Sequence, residues 1–195
     1  MSTPTIKAAP EWSVSAWLNS PGPVSLAALR GKVVALYAFQ MLCPGCVSHG
    51  IPQARELRRS FAREDVEVLG LHTVFEHHAV MNRAALEAFI HEYRIDFPVG
   101  IDQPSDSAAL PLTMARYQLR GTPTLLLFDR QGVLRQQIFG TVRDMQAGAL
   151  VAQLVAEPVV ERAPERAPGR VLGAGAVADA NTARGARCDD GACHL

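Results

Sequence analysis

The stretch Val33-Val34-Ala35-Leu36-Tyr37-Ala38-Phe39-Gln40-Met41-Leu42-Cys43-Pro44-Gly45-Cys46 decides the fold. Its first seven residues are apolar and rich in strand formers, which reads as a short strand buried on both faces. Gln40-Met41-Leu42 turns the chain, and a helix is expected to open near Cys43. Residues three apart share a helix face, so the sulfurs of Cys43 and Cys46 can meet at a separation that a disulfide accepts. The first turn of a helix offers unpaired N–H groups and the positive end of the dipole. A thiolate at Cys43 is stabilised there, its pKa falls and it becomes the nucleophile. Cys46, one turn deeper, is expected to be less exposed and to resolve a mixed disulfide formed on Cys43. A C-x-x-C alone is ambiguous; placed after a buried strand and matched with a downstream Thr-Pro, it points to thiol–disulfide chemistry.

Gly121-Thr122-Pro123-Thr124 supplies that second half. An X-Pro bond becomes cis at modest cost, and a cis proline is usually a deliberate feature of a tight turn. Thr122-Pro123 is read in this way, with the Thr122 backbone groups facing the cysteines and able to pair with an extended substrate chain.

The remaining pattern builds an α/β domain. Glu11 to Leu18 reads as a strand or hairpin arm, and Ser20-Pro21-Gly22-Pro23 as a turn. Ser25 can cap a short helical turn that ends at Gly31. A helix is expected from Cys43 to about Arg63, with Ala54, Leu57 and Phe61 at helical spacing. Val66 to His72 is a second buried strand, and Asn82 or Arg83 to Tyr93 a helix with Leu86, Phe89 and Ile90 inward. Phe97 to Ile101 is extended, and Leu112 to Leu119 a helical turn that delivers the chain to Thr122. Thr124 to Phe128 and Val133 to Phe139 flank Asp129-Arg130-Gln131-Gly132 as a hairpin. Thr141-Val142-Arg143-Asp144 reads as a capping box that opens a last helix to about Ala156. Crossover helices between such strands give a mixed central sheet covered on both faces.

The run Leu26-Ala27-Ala28-Leu29-Arg30-Gly31-Lys32-Val33-Val34, then the C-x-x-C, then Arg120-Gly121-Thr122-Pro123-Thr124-Leu125-Leu126-Leu127-Phe128-Asp129-Arg130-Gln131-Gly132 resembles the thioredoxin-like superfamily. The branch it resembles is the TlpA/ResA-type redoxins, which border the peroxiredoxins, over about residues 10–156. The resemblance implies a thioredoxin fold and a thiol–disulfide oxidoreductase without a cofactor. Its substrates would be protein or small-molecule thiols and disulfides, with a thioredoxin reductase-type or glutathione electron donor. Several positions depart from the family pattern. The aromatic residue common before the first cysteine is Leu42. The buried carboxylate that thioredoxins proper carry in the preceding strand is missing, and Tyr37 is the only polar side chain there. The usual helix-kinking proline appears one residue late, as Pro52. His49 stands where ResA-like proteins have a Glu; it is a candidate for tuning the thiol pKa or shuttling protons, and equally a solvated helix residue. A peroxiredoxin would need Thr or Ser three residues before the cysteine and Pro three further back; here these are Gln40 and Tyr37. Gln40 can still hydrogen-bond, but the hydroxyl is missing, and the Cys46 partner favours disulfide exchange over sulfenate chemistry. The peroxidase stays as an alternative function.

Composition is that of one globular domain with a tail. The chain has 195 residues, 48% of them hydrophobic, and formal net charge zero, ample for one core. Nothing argues for nucleic acid or an anionic membrane as partner. The apolar runs are too short to span a bilayer. Met1 to Lys7 has no charged start followed by an apolar stretch, so a cytoplasmic protein is expected, where cysteine pairs are more often catalytic or metal-binding than structural. His72, Glu76, His77 and His78 form a second tempting cluster, but such a run after a strand usually marks a solvated loop.

The domain is expected to cover residues 1–156. Residues 157–187 change character: Glu161-Arg162-Ala163-Pro164 repeats as Glu165-Arg166-Ala167-Pro168, and Pro, Ala and Gly dominate. Such a composition is a flexible linker. Residues 188–195 end the chain with Cys188-Asp189-Asp190-Gly191-Ala192-Cys193-His194-Leu195. Three readings stand. Cys188 and Cys193 form a mobile redox pair that exchanges with Cys43 and Cys46; or Cys188, Cys193 and His194 bind a soft metal such as Zn or Cu(I), in a thiol-based metal-binding or redox-sensing protein; or the thiols are incidental. Reach permits the first, since about 31 linker residues span roughly 30 Å r.m.s., against a radius of gyration of about 15 Å for the domain. The tether would set a local concentration near millimolar.

Overall fold

Every residue of strand β2 (Val33–Phe39) is buried, and its two faces feed two different cores. Val33, Ala35, Tyr37 and Phe39 point to one side, Val34, Leu36 and Ala38 to the other, as the period of two requires. The computed structural model describes residues 8–158. Around β2 lie β1 (Val14–Leu18), β3 (Val66–His72), β4 (Val99–Asp102), β5 (Thr124–Phe128) and β6 (Leu134–Phe139). They form one six-stranded sheet in the order β1-β4-β3-β2-β5-β6. β2, β3 and β4 run parallel, and β1, β5 and β6 are antiparallel to their neighbours. The sheet is therefore mixed, with β2 and β3 at its centre.

Helices α1 (Ile51–Ser60), α2 (Arg83–Glu92) and α4 (Asp144–Ala156) cover the face of Tyr37 and Phe39, through Ala54, Leu57, Leu86, Ala147 and Val151. Helix α3 (Leu112–Arg116) covers the other face with Trp12, Leu26, Met114 and Tyr117. The two parallel crossovers, β2-α1-β3 and β3-α2-β4, put α1 and α2 on one side, as the right-handed rule demands.

Strands β3 and β5 have the limits that their apolar runs indicate. Asn82 caps α2, accepting the Ala85 N–H at 3.1 Å, and Ser25 accepts the Ala28 N–H of the short 3-10 turn Ala27–Leu29. Other expectations need correction. β1 starts at Val14, and its partner is β4. The Glu11 carboxylate instead accepts the Leu26 and Ala27 N–H groups, which holds it out of the strand. Thr141 does not cap the last helix. Arg143 is the N-cap residue and makes no side-chain capping bond. The helix expected from Cys43 to Arg63 is a helical turn, a π-helical turn over Cys46–Gly50, and α1, which stops at Ser60. Phe61 is extended and half-buried beyond the end.

The π turn explains the position of Pro52. Such a turn takes one residue more than an α turn, which pushes the proline one place along. Pro52 then comes just after the π turn, and with no N–H of its own it leaves the helical ladder one donor short at that point.

Candidate active site

Cys43 follows the C-terminal end of β2, and Pro123 precedes the N-terminal end of β5, where Ala38 pairs with Thr124. Antiparallel pairing thus brings the two halves of the sequence pattern to one edge of the sheet. The Thr122–Pro123 peptide is cis. The Thr122 carbonyl accepts from Cys43 Sγ at 3.5 Å, so the backbone before the proline does face the cysteines. Gly45 and Gly50 flank the proline ring: a Cβ on either would lie 3.3 Å from it.

The two sulfurs are adjacent and differ in environment. Cys43 is partly exposed and Cys46 is fully buried, both as free thiols. The Cys46 thiol donates to Cys43 Sγ at 2.7 Å, and the Cys46 N–H to the same sulfur at 3.3 Å. Two donors therefore converge on Cys43 Sγ, whose own S–H points to the Thr122 carbonyl. Burial pushes the Cys46 thiol up to about 12; its bond to Cys43 adds to this, and hydrogen bonds with Gln40 and Thr122 oppose it. The outer sulfur is reachable, and the inner one keeps its proton. Leu42, 57% exposed directly before Cys43, leaves an apolar side chain at the rim.

Gln40 is buried. Its backbone carbonyl accepts the Cys43 N–H at 3.2 Å, while its amide bridges to the loop after β3, donating to Glu76 at 3.2 Å and accepting the Phe75 N–H at 3.4 Å. His49 is half-buried, and its Nε2 bonds the Val142 carbonyl at 2.7 Å. Among the described residues no hydrogen bond joins it to either cysteine. Thus Cys43, Cys46, Thr122, Pro123 and the Gln40 backbone come together, and the His49 side chain turns toward the start of α4.

His72 differs in burial from the histidines that follow it, although it lines one cavity with His78. It is buried at the end of β3, 5.4 Å from the Phe39 ring, and among the described residues its Nε2 has no partner. Burial pushes its pKa down to about 4. His77 and His78 are exposed. Among the described residues no group of three or more His, Cys, Asp or Glu is placed to hold a metal ion. Cys188, Cys193 and His194 lie outside the described residues. No helix among those residues is long and apolar enough to cross a membrane.

Two polar groups had no place in the motif reading. Gln53, on α1, is buried and bonded to Tyr37, Val142 and Asp144. Its only sequence signal is its place beside Ala54 on the face that Leu57 continues. Asp102 ends β4 and accepts from Thr73 Oγ1 and from the Thr113 and Met114 N–H groups. Burial lifts its pKa, and those bonds oppose the rise.

Comparison with known proteins agrees with this geometry. The AhpC/TSA family model matches residues 6–137. The chain is 28% identical over 117 residues to the thiol-disulfide oxidoreductase ResA of Bacillus thuringiensis (strain Al Hakam), covering 60% of each chain. It therefore spans about three fifths of the length of that relative. Among solved structures, a thiol-disulfide isomerase from Corynebacterium glutamicum is 48% identical, with a TM-score of 0.74, over 77% of this chain and 97% of the other. A crystal structure of a thioredoxin-like superfamily protein is 56% identical, with a TM-score of 0.75 and the same coverage. The fold is the thioredoxin fold, and the chain belongs to the AhpC/TSA family, as a TlpA/ResA-type redoxin of the thioredoxin-like superfamily.

Proposed function

We propose that the chain is a thiol–disulfide oxidoreductase whose redox couple is Cys43 and Cys46. The observation that carries this is the partly exposed sulfur of Cys43, 2.7 Å from the buried sulfur of Cys46 and 3.5 Å from the Thr122 carbonyl. The Cys43 thiolate attacks one sulfur of a substrate disulfide. A Cys43–substrate disulfide forms, and the other substrate sulfur leaves as a thiolate and takes up a proton. Cys46 then loses its proton and attacks Cys43 Sγ. The Cys43–Cys46 disulfide forms, and the second substrate thiol leaves. Two electrons have passed to the substrate; run backward, the same steps oxidise a dithiol. Thr122 and Pro123 hold an extended substrate strand beside Cys43.

The tail pair completes the cycle. Reduced Cys188 and Cys193 reduce the Cys43–Cys46 disulfide by the same exchange and become a disulfide. An external dithiol or glutathione then reduces them, through a thioredoxin reductase-type or glutathione donor. The length of residues 157–187 supports this, since the linker outreaches the domain radius.

The AhpC/TSA match favours a second reading, a thiol peroxidase. Against it, the Gln40 amide is committed at both ends to Glu76 and Phe75, and no hydroxyl replaces it at that position.

The test is a Cys46→Ser variant, mildly oxidised, digested without reductant and searched by mass spectrometry. A dominant intramolecular Cys43–Cys188 or Cys43–Cys193 adduct supports the relay. Ready modification of Cys43 by an external disulfide without that adduct keeps the oxidoreductase and removes the tail from its cycle. Rapid peroxide consumption with no disulfide exchange replaces it with the peroxidase. Stoichiometric metal that is lost with Cys188 and Cys193 would make the tail a metal ligand.

A further inference from the structure

Gln53 stands just beyond the π turn that begins at Cys46, 3% exposed, with its whole amide in use. Its Oε1 accepts the Tyr37 hydroxyl at 2.9 Å. Its Nε2 donates to the Val142 carbonyl at 2.8 Å and to Asp144 Oδ1 at 2.7 Å. Only a nitrogen satisfies those two acceptors, which fixes the orientation of the amide. His49 Nε2 donates to the same Val142 carbonyl. Its 3.5 Å approach to Gln53 Nε2 is therefore one donor beside another. One buried side chain thus ties together β2, the cysteine helix and the entry to α4.

A π turn is a one-residue insertion in the helical ladder. Pro52, which has no N–H to give the ladder, limits where along the helix the extra residue sits, and side-chain contacts must hold it there. If it moved, Cys46 would rotate relative to Cys43. A fully bonded buried amide specifies one arrangement, because any other leaves polar groups unpaired at a cost. The same turn touches the anchor strand and the proline: a Cβ on Gly50 would lie 4.0 Å from Tyr37 Cδ1 and 3.3 Å from Pro123 Cβ.

We propose that Gln53 is a positioning residue of the cysteine pair, holding the π turn so that Cys46 Sγ stays against Cys43 Sγ. This rests on reading Cys43 and Cys46 as a redox couple. A loosened turn lowers the effective concentration of one thiol at the other and moves the dithiol–disulfide equilibrium toward the dithiol.

The test is a glutathione redox equilibrium on the full chain. Two glutathione thiols reduce the Cys43–Cys46 disulfide and form one glutathione disulfide. The oxidised fraction of that pair is read by alkylation and peptide mass spectrometry, which keeps it separate from Cys188 and Cys193. Gln53→Leu is expected to lower the equilibrium constant for the protein disulfide about tenfold, or about 30 mV. Gln53→Glu supplies the sharper arm. The groups facing that position are Tyr37 on β2, His49 on the π turn, and Asp144 and the Val142 carbonyl at the entry to α4. An ionised carboxylate there meets two acceptors and is repelled; a protonated one donates.

The Gln53→Glu constant, taken relative to wild type at the same pH, is therefore expected to be low at pH 8 and to recover at pH 5. Adding Asp144→Asn is expected to restore part of it at pH 8. A merely structural role would lower the melting temperature of the oxidised and reduced forms alike and leave the constant within about twofold of wild type. That result, or Gln53→Glu without recovery at pH 5, overturns the proposal. A wild-type chain that forms no Cys43–Cys46 disulfide in this buffer would overturn the redox reading itself, and the positioning role with it.

Discussion

Gly50 lies against the ring of Pro123, so close that a Cβ on it would sit 3.3 Å from Pro123 Cβ. The glycine itself is helical, and its N-cap geometry at φ −59° and ψ −48° suits any residue. Its smallness serves the contact and not the backbone. Gly50→Ala therefore gains helix propensity, by up to about 1 kcal/mol, and presses on the loop that presents Thr122 to Cys43. The expected outcome is a folded protein with a melting temperature near that of wild type and a several-fold slower reduction of a peptide disulfide. Gly50→Val, with two further methyl groups, is expected to lose stability as well. Activity and melting temperature measured together separate the two effects; an unchanged rate for Gly50→Ala would show that the ring has room to give.

The burial of Cys46 sets a pH dependence. With its thiol pushed up to about 12, only a small fraction is ionised near neutrality, and release of a mixed disulfide needs the thiolate. A preformed Cys43 mixed disulfide should therefore resolve faster as pH rises, by about tenfold per pH unit from pH 7 to 9. Stopped-flow release of a chromogenic thiol measures this. A rate independent of pH over that range would mean that a base within the site takes the proton.

The motif edge of this domain was legible in the sequence because it is written in short apolar runs. β2 and β5 are buried from end to end, and β3 at every residue but Glu67, so hydrophobic residues and turn residues mark their limits. The C-x-x-C and the Thr-Pro fall at the same sheet edge by antiparallel pairing, which the strand order implies. The π turn was hidden, because helical periodicity does not register one inserted residue; the late Pro52 was its only trace. The capping box failed because Asp144 is bonded to Gln53 from another helix, a tertiary contact that local spacing does not encode. Gln53 and Asp102 went unseen for the same reason: each is polar, and only the partners brought to it by the fold justify its burial.

Asp102 gives a stability test of that point. Its carboxylate accepts the Thr113 and Met114 N–H groups and the Thr73 hydroxyl. Asp102→Asn keeps one acceptor oxygen and turns an NH2 toward donors, which orphans at least one buried N–H. The expected loss is about 1–3 kcal/mol, read from urea unfolding, and Asp102→Ala should lose more because all three donors are stranded. Because these bonds hold the start of α3, which leads to Thr122, disulfide-exchange activity should fall along with stability. Equal stability of Asp102→Asn and wild type would mean that a water takes over the vacated donors.

His72 makes the protein sensitive to acid. Its imidazole is buried, Nε2 has no partner among the described residues, and burial holds its pKa near 4, below the ordinary 6.5. A folded pKa below the unfolded one means that the unfolded chain binds the proton more readily. The stability contributed by the neutral ring is thus complete above pH 6.5 and is lost as pH falls through about 4, a change of about 3 kcal/mol. His72→Leu removes the titrating group while keeping an apolar side chain against Phe39. Its unfolding free energy should stay flatter between pH 6.5 and 4. At pH 7 the variant should match or exceed wild type, since an unpartnered buried polar atom costs about 1–3 kcal/mol. Urea unfolding of both proteins at half-unit steps of pH measures the difference. Parallel acid limbs would assign the acid sensitivity to other groups and show that His72 finds a hydrogen-bond partner in solution.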